Sequence, residues 1–321
     1  MALAYNTGHC DDFALPGGQA QRSPPAPARI RWTSLALIHP TARMMNNAQG
    51  RTMHCMICGG PTAYYFSKQY DGPYGIFMTD IPSVDYAICG SCGFVFSMTH
   101  QALDADRWSR LNVEFHDHCA QVPYDQKPNS PPYAEQALML GLAATGTIID
   151  ASSMLDYAGG RGILSRLVAD LFAMRLDVYE PFVRDEGVSY LDKGDLTKYK
   201  VVFNSAMFEH VLCRQDLDDV NDLVDPDGVL IVHTVVGERV PQDPSWFYLT
   251  PPVHTAFHTN RSMAVLMEQW GYTCSIYAPK AKSWILLKGD VSRVLDQADA
   301  INRRLKTQWL IAKEGFVDYW K

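Results

Sequence analysis

The chain has 321 residues, of which 47% are hydrophobic and 20% charged, and a net charge of −7. That length suits one large domain with an appendage, or two domains, and the composition is that of an ordinary soluble globular protein. The acidic balance provides no overall positive field toward phosphate backbones, and no apolar run approaches the ~20 residues that span a bilayer.

Residues 1–52 lack sustained periodicity, and Pro24, Pro25 and Pro27 cluster just after Gly17 and Gly18. They are expected to be a disordered tail, or an upstream extension of an over-long reading frame whose true start is Met44, Met45 or Met53. No basic region followed by an apolar core marks a secretory signal.

Residues 53–100 carry the strongest local signal. Cys55-Met-Ile-Cys58 and Cys89-Gly-Ser-Cys92 are two Cys-x-x-Cys knuckles separated by 30 residues. Each knuckle places two thiolates on a tight turn, and two knuckles complete a tetrahedron around Zn²⁺. Tyr64-Tyr65-Phe66 and Tyr86-Ala87-Ile88 are expected as strands of a small zinc-ribbon-like module, stapled by the ion because it is too small for its own core. The remaining cysteines, Cys10, Cys119, Cys213 and Cys274, are scattered. This favours a reducing, cytoplasmic setting over a disulfide framework.

Residues 101–138 lie between this module and the central glycine-rich stretch. Trp108, Leu111, Val113 and Phe115 indicate a helix start or mixed structure, and His116-Asp117-His118-Cys119 is a metal-like cluster that more often is solvated or lines a substrate. Pro123, Pro128, Pro131 and Pro132 mark a loop, and Tyr133–Leu142 is expected as a helix.

The centre of the chain is Leu155-Asp156-Tyr157-Ala158-Gly159-Gly160-Arg161-Gly162, which succeeds a strand pattern and opens a helix apolar at Ile163, Leu164, Leu167, Val168, Leu171 and Phe172. A glycine loop turns tightly, lets a ligand approach its backbone, and leaves helix N–H groups free for polar ligand atoms. Glu180 closes the next strand, about 20 residues on, where an acid accepts hydrogen bonds from ribose hydroxyls. That geometry admits a dinucleotide or S-adenosylmethionine. Strands are then expected at Val188–Leu191, Lys200–Asn204 and Val229–Val236, with a turn at Pro226-Asp227-Gly228, and as an antiparallel hairpin at Thr273–Tyr277 and Ser283–Lys288.

With these motifs in place, residues 139–288 resemble class I S-adenosylmethionine-dependent methyltransferases. The family's Asp/Glu-x-Gly-x-Gly-x-Gly loop reads here Asp156, Ala158, Gly160, Gly162, so Ala158 replaces the first glycine and Gly159 falls on a variable position. The resemblance implies an α/β, Rossmann-like seven-stranded sheet ending in that antiparallel hairpin, which nicotinamide-binding Rossmann domains lack. It also implies that Glu180 meets the ribose, Asp156 the cofactor's ammonium and Asp195 the adenine amino group.

A zinc module ahead of such a domain resembles the sugar C-methyltransferases that act on nucleotide-linked deoxysugars. There the module walls the substrate site, which implies a role for Tyr70-Asp71-Gly72-Pro73-Tyr74. It also resembles, more loosely, certain ribosomal RNA guanine methyltransferases. Glu209-His210 lies just past the fourth strand, and a segment with His254 and His258 precedes a helix for which Asn260 is a good N-cap. In the sugar enzymes this segment carries a Glu-His pair, where this chain has Val253-His254. The missing carboxylate favours oxygen over carbon methylation, with His254 or His210 as general base. A zinc-docked RNA methyltransferase and a non-catalytic cofactor-binding protein are the alternatives. The few basic residues of the ribbon argue against nucleic acid. Residues 139–289 are therefore expected as the cofactor domain, acting on a small-molecule acceptor. Residues 290–321 are expected as a C-terminal helical extension, capped by Asp290, that packs on the zinc module or makes a homodimer.

Overall fold

The computed structural model describes residues 53–81, 83–122 and 130–318. The expected tail at 1–52 and the expected loop residues Pro123 and Pro128 lie outside them. Thirteen strands occur among the described residues: β1 Thr62–Gln69, β2 Ser83–Cys89, β3 Val95–Ser97, β4 Met154–Tyr157, β5 Asp177–Tyr179, β6 Tyr190–Leu191, β7 Tyr199–Ser205, β8 Val224–His233, β9 Val236–Gly237, β10 Ala256–Thr259, β11 Cys274–Ala278, β12 Ser283–Leu287 and β13 Ile311–Glu314. The α-helices are α1 Met98–Gln101, α2 Ala105–Ala120, α3 Tyr133–Thr145, α4 Ile163–Phe172, α5 Arg214–Asp222, α6 Asn260–Trp270 and α7 Val291–Leu305.

The large sheet has the order β13-β11-β12-β8-β7-β4-β5-β6. Strands β4 to β8 run parallel, whereas β12, β11 and β13 are antiparallel. Successive residues of a strand face opposite ways, so a sheet covered on both faces needs apolar residues at every position. On β8, Leu230 and Val232 face one core and Ile231 the other; on β7, Val202 faces the first and Val201 and Phe203 the second. Helices α3, α4 and α7 close the second core. Helices α5 and α6 close the first, together with the cysteine knuckles through Cys55, Ile57 and Phe94.

Several features depart from expectation. The sheet has eight strands among the described residues rather than seven, because β13 adds to the edge at β11. The C-terminal extension is thus a helix succeeded by a strand. Asp290 caps α7 through Ser292 N–H (2.9 Å), and Val294, Ala298 and Ile301 pack on the sheet rather than on the cysteine module. The expected turn at Pro226-Asp227-Gly228 is a bulge inside β8. Tyr199 pairs with Val224, but Val201, only two residues on, pairs with Val229. Lys200 pairs with Asp225 and Asp227 across this bulge, and a Cβ on Gly228 would come within 2.9 Å of the Lys200 carbonyl oxygen. Helix α6 is capped by Thr259, one residue before Asn260: Thr259 Oγ1 accepts from Ser262 N–H (3.1 Å), and Ser262 Oγ accepts in return from Thr259 N–H (2.9 Å).

The cysteine module is continuous with the rest of the chain. A second sheet runs β1-β2-β3-β10-β9, so the segment with His254 and His258 before α6 contains a strand, β10, paired with β3 of the module. Further bonds fasten the knuckles. Thr259 Oγ1 donates to the Cys92 carbonyl (2.6 Å), and Gln269 Nε2 donates to the Ile57 carbonyl (3.0 Å). No helix among the described residues is long and apolar enough to cross a membrane.

Candidate active site

Strand order reverses at β4, whose chain continuation goes to β5 on one side and, later, to β7 on the other. Open α/β sheets bind ligands at this switch point, outside the carboxyl ends of the strands. The loop after β4 is the glycine loop, and the structure joins it to Glu180 at the end of β5. Glu180 Oε2 accepts from Gly160 N–H (2.8 Å), and Oε1 accepts from Phe182 N–H (2.7 Å) and Val183 N–H (3.3 Å). Glu180 is only 4% exposed; burial raises its pKa, and these three backbone bonds offset that by favouring the carboxylate.

Asp156 lies beneath the same loop, 1% exposed, with Oδ1 lacking a partner. Burial, then the charge of Glu180, pushes its pKa up to about 8. Gly159 is required by close approach, since a Cβ there would sit 2.7 Å from Asp156 Oδ2. Gly162 takes φ +66° at the N-cap of α4 with Val188 packed against it, and leaves the first N–H groups of the helix without a side-chain cap. Gly160 also has positive φ.

Ala158 is the outlier. It stands where the resemblance puts glycine, and its φ is +58°, the left-handed region in which Cβ crowds the carbonyl. Ala158→Gly should therefore raise the unfolding free energy by about 1 kcal/mol, read as a higher denaturant midpoint at unchanged m-value.

Asp195 sits exposed in a single 3₁₀ turn, Lys193–Asp195, after β6, at the same sheet edge. The strand before it, expected over Val188–Leu191, is reduced to two residues.

The 3₁₀ turn Phe208–His210 leaves the end of β7 on the other side of the switch point. Thr255 N–H donates to the Glu209 carbonyl (2.7 Å) and Thr255 Oγ1 to the Val211 carbonyl (2.7 Å), which buckles the His254 segment onto this turn. His210 and His254 come together, their ring centroids 5.0 Å apart. The His254 Nδ1–H donates to the Tyr248 carbonyl (2.7 Å), so Nε2 carries the free lone pair. Burial lowers the His254 pKa to about 3 and holds that of His210 well below its usual value, so both imidazoles are neutral near pH 7.

Glu209 belongs to this cluster and was not singled out as a site residue by the sequence. It is 1% exposed. Oε1 accepts from the Tyr248 hydroxyl (2.6 Å), while Oε2 has no partner. Burial raises its pKa to about 7 against hydrogen bonds from Tyr248, from its own backbone and from Thr234. One donor atom from each of Glu209, His210 and His254 lies within 4.8 Å of the others. The carboxylate missing beside His254 in the chain is thus supplied by the turn after β7. The adjacent Glu209-His210 pair was the visible signal.

The run His116–Cys119 does not form a cluster of its own. Helix α2 turns His116 onto His210 (centroids 5.5 Å, nearly parallel) and His118 toward Tyr74 and Phe77, while Asp117 pairs with Arg161 of the glycine loop (3.6 Å). His258 is on β10, packed against Phe94 and Phe208, and is a buried core residue. Tyr70 donates to the Leu249 carbonyl (3.1 Å), which brings the expected wall segment to the stretch just before His254.

Cys55, Cys58, Cys89 and Cys92 converge, with Sγ–Sγ separations of 3.7 Å for Cys55–Cys92 and 3.4 Å for Cys58–Cys89. The edge of a tetrahedron with ~2.3 Å metal–sulfur bonds is about 3.8 Å, so the donor set and its spacing suit a zinc ion. Backbone N–H groups of Ile57, Ser91 and Cys92 point at the sulfurs of Cys55 and Cys89 (3.3–3.4 Å), as around thiolates.

Residues 132–275 match the family model described as a methyltransferase domain. No curated protein matches the chain. Among solved structures, the human N-acetylserotonin methyltransferase in complex with S-adenosylmethionine is similar at 17% identity and a TM-score of 0.34. That match covers 49% of this chain and 54% of the other, so the chain spans about half the length of that enzyme. The CcbJ methyltransferase from Streptomyces caelestis is 16% identical over 60% of this chain and 86% of its own, with a TM-score of 0.29. Coclaurine N-methyltransferase bound to N-methylheliamine and S-adenosylhomocysteine is 14% identical over 65% and 74%, with a TM-score of 0.35.

Proposed function

We propose that this enzyme, whose S-adenosylmethionine-dependent methyltransferase domain covers residues 132–275, moves a methyl group to a hydroxyl of a small polar acceptor. The acceptor class is a sugar or a nucleotide-linked sugar. The observation that carries the reading is the convergence of two sites at one sheet edge: Glu180 bonded to the glycine loop at Gly160 (2.8 Å), and the His210–His254 pair across the switch point.

The residues present fit the cofactor. Glu180 would accept from the ribose hydroxyls, and the orphaned Asp156 Oδ1 from the ammonium group. Gly159, Gly160 and Gly162, with Ala158, would form the backbone cradle, and Asp195 would reach the adenine edge. When bound, the cofactor supplies an electrophilic methyl group on a sulfonium. The chain's part is to hold the acceptor oxygen in line with it, exclude water and receive the hydroxyl proton. The neutral His254, its Nδ1–H fixed by the Tyr248 carbonyl, takes that proton at Nε2, with His210 as the neighbouring acceptor. The wall against the acceptor comes from the module of residues 53–100, since β3 pairs with β10 immediately after His254. The four thiolates of that module hold one structural Zn²⁺ and leave it no open position.

Glu209 favours a second reading, methylation of a carbon beside a carbonyl. A carboxylate and an imidazole together suit proton removal from carbon, and both are present. Which atom carries the new methyl is read directly from the product by NMR.

Calorimetric titration with S-adenosylmethionine and S-adenosylhomocysteine tests the cofactor reading. Wild type should bind both, and Glu180→Ala should bind about 10- to 100-fold more weakly, the loss of charged hydrogen bonds. A folded wild type that binds neither overturns the cofactor assignment. Binding without labelled methyl transfer to any of a panel of nucleotide sugars overturns the acceptor class.

A further inference from the structure

We infer that Glu209, His210 and His254 form a second metal site, distinct from the four thiolates, for a divalent transition cation of the zinc class. Two imidazoles and one carboxylate are a ligand set for such ions, and three protein ligands leave positions open. The orientations of His254 and Glu209 fit. The His254 Nδ1–H is spent on the Tyr248 carbonyl (2.7 Å), which aims Nε2 away from the backbone, as outer hydrogen bonds do for metal-ligating histidines. Glu209 Oε1 is held by the Tyr248 hydroxyl (2.6 Å), so one residue orients two ligands.

The independent sign is Glu209 Oε2. A carboxylate oxygen on a residue 1% exposed, left without a close hydrogen bond although the Thr234 hydroxyl also bears on this carboxyl, is costly unless something charged or donating meets it. Glu209 contributes one carboxylate oxygen to a cluster whose donor atoms are all within 4.8 Å of one another. Bonds of ~2.1 Å would draw these donors to about 3.0–3.4 Å, a closure of at most about 1.4–1.8 Å that side-chain rotation supplies. The two backbones need not move, because Thr255 already clasps the turn through the Glu209 and Val211 carbonyls. His116 lies beside the cluster, nearly parallel to His210 with ring centroids 5.5 Å apart.

The ligand set is independent of methyl transfer; the effect of filling it rests on the proposed role of His254 as base. A cation there engages the nitrogen lone pairs that would receive the acceptor's proton. Occupation therefore withdraws the base and switches transfer off.

The test is zinc content of the full chain by mass spectrometry, after stripping and reloading with excess Zn²⁺ and desalting. Wild type is expected to hold about two ions per chain and Glu209→Gln and His254→Ala about one each. The ion retained by the thiolates reports that the variants are folded, and Glu209→Gln keeps an acceptor for the Tyr248 hydroxyl. One ion in wild type, or two in both variants, overturns the site. Because this count needs neither cofactor nor acceptor, it stands or falls apart from the methyl-transfer reading. In the activity arm, loading the second equivalent should lower methyl transfer at least tenfold, and returning to one equivalent should restore it. Unchanged transfer with two ions bound would overturn the switching role.

Discussion

Cys92→Ser is expected to lower the unfolding free energy by roughly 5 kcal/mol and to remove the zinc ion held by the thiolates. Structural zinc sites contribute apparent binding free energies of about 10–16 kcal/mol in isolated fingers, and removing one thiolate forfeits most of that. Here part of the loss is offset, because Ile57, Phe94 and Phe96 are buried in a core shared with α5 and α6. The remainder is still a large fraction of the ~5–15 kcal/mol that holds a domain together. The damage should not stay within the module. Thr259 Oγ1 bonds the Cys92 carbonyl, β3 pairs with β10, and Ser97 N–H donates to the Thr255 carbonyl (2.8 Å), so loosening the knuckle loosens the segment that carries His254. Methyl transfer should therefore fall with stability. Thermal melts monitored by circular dichroism, with zinc measured on the same samples, check this, and Cys119→Ser on α2 serves as the control, expected within about 1 kcal/mol of wild type. A Cys92→Ser protein that melts with wild type would mean that the sheet alone holds the module.

The parts of this molecule that were legible in the sequence are those whose cause is local. Asp156 through Gly162 is one turn between a strand and a helix, and its residue types answer to backbone constraints within the turn itself: Gly159 to the Asp156 carboxylate, Gly162 to its positive φ. Each cysteine knuckle is likewise complete within four residues. The β11–β12 hairpin arises from two apolar runs joined by a short connection. The illegible parts depend on partners distant in the chain. Strand β10 exists because β3, some 160 residues earlier, offers it a free edge. The bulge in β8 overrides the turn chemistry of Pro226-Asp227-Gly228, because the parallel register with β7 is restored only at Val229. Strand β13, Ile-Ala-Lys-Glu, has too little alternation to announce itself and is recruited by the exposed edge of β11. Glu209 meets His254 only because Thr255 bonds back to the turn after β7, a contact with no trace in local pattern.

In enzyme carrying only its thiolate-bound ion, His254→Ala should lower kcat by about 10²- to 10⁴-fold, the usual contribution of a positioned general base. Glu209→Gln should lower it less and also remove the main inflection of the pH profile. The pKa values assign that inflection. His254, held down to about 3 by burial, and His210, held well below its usual value, are neutral across the assay range and titrate nothing near pH 7. His116, lowered by burial to about 4, is equally silent. Glu209 is pushed up to about 7, chiefly by burial, with the Tyr248 bond opposing. Below that pH it is a neutral acid. Above it, a carboxylate faces His254 and stabilises the imidazolium that forms as the acceptor's proton arrives, so the rate should rise with pH through about 7. Stability should move the other way. A carboxyl whose folded pKa lies above its unfolded value near 4.5 contributes fully below about pH 4.5, and that contribution is lost as pH rises through about 7. The enzyme is thus expected to be most active where this residue supports the fold least. Glutamine mimics the protonated acid, so Glu209→Gln should be slower than wild type above pH 7 and also melt higher there, with both pH dependences flattened. Paired measurements of kcat and melting temperature from pH 5 to 9 decide the matter; an inflection near 7 that survives in Glu209→Gln would move the titrating group away from this carboxylate.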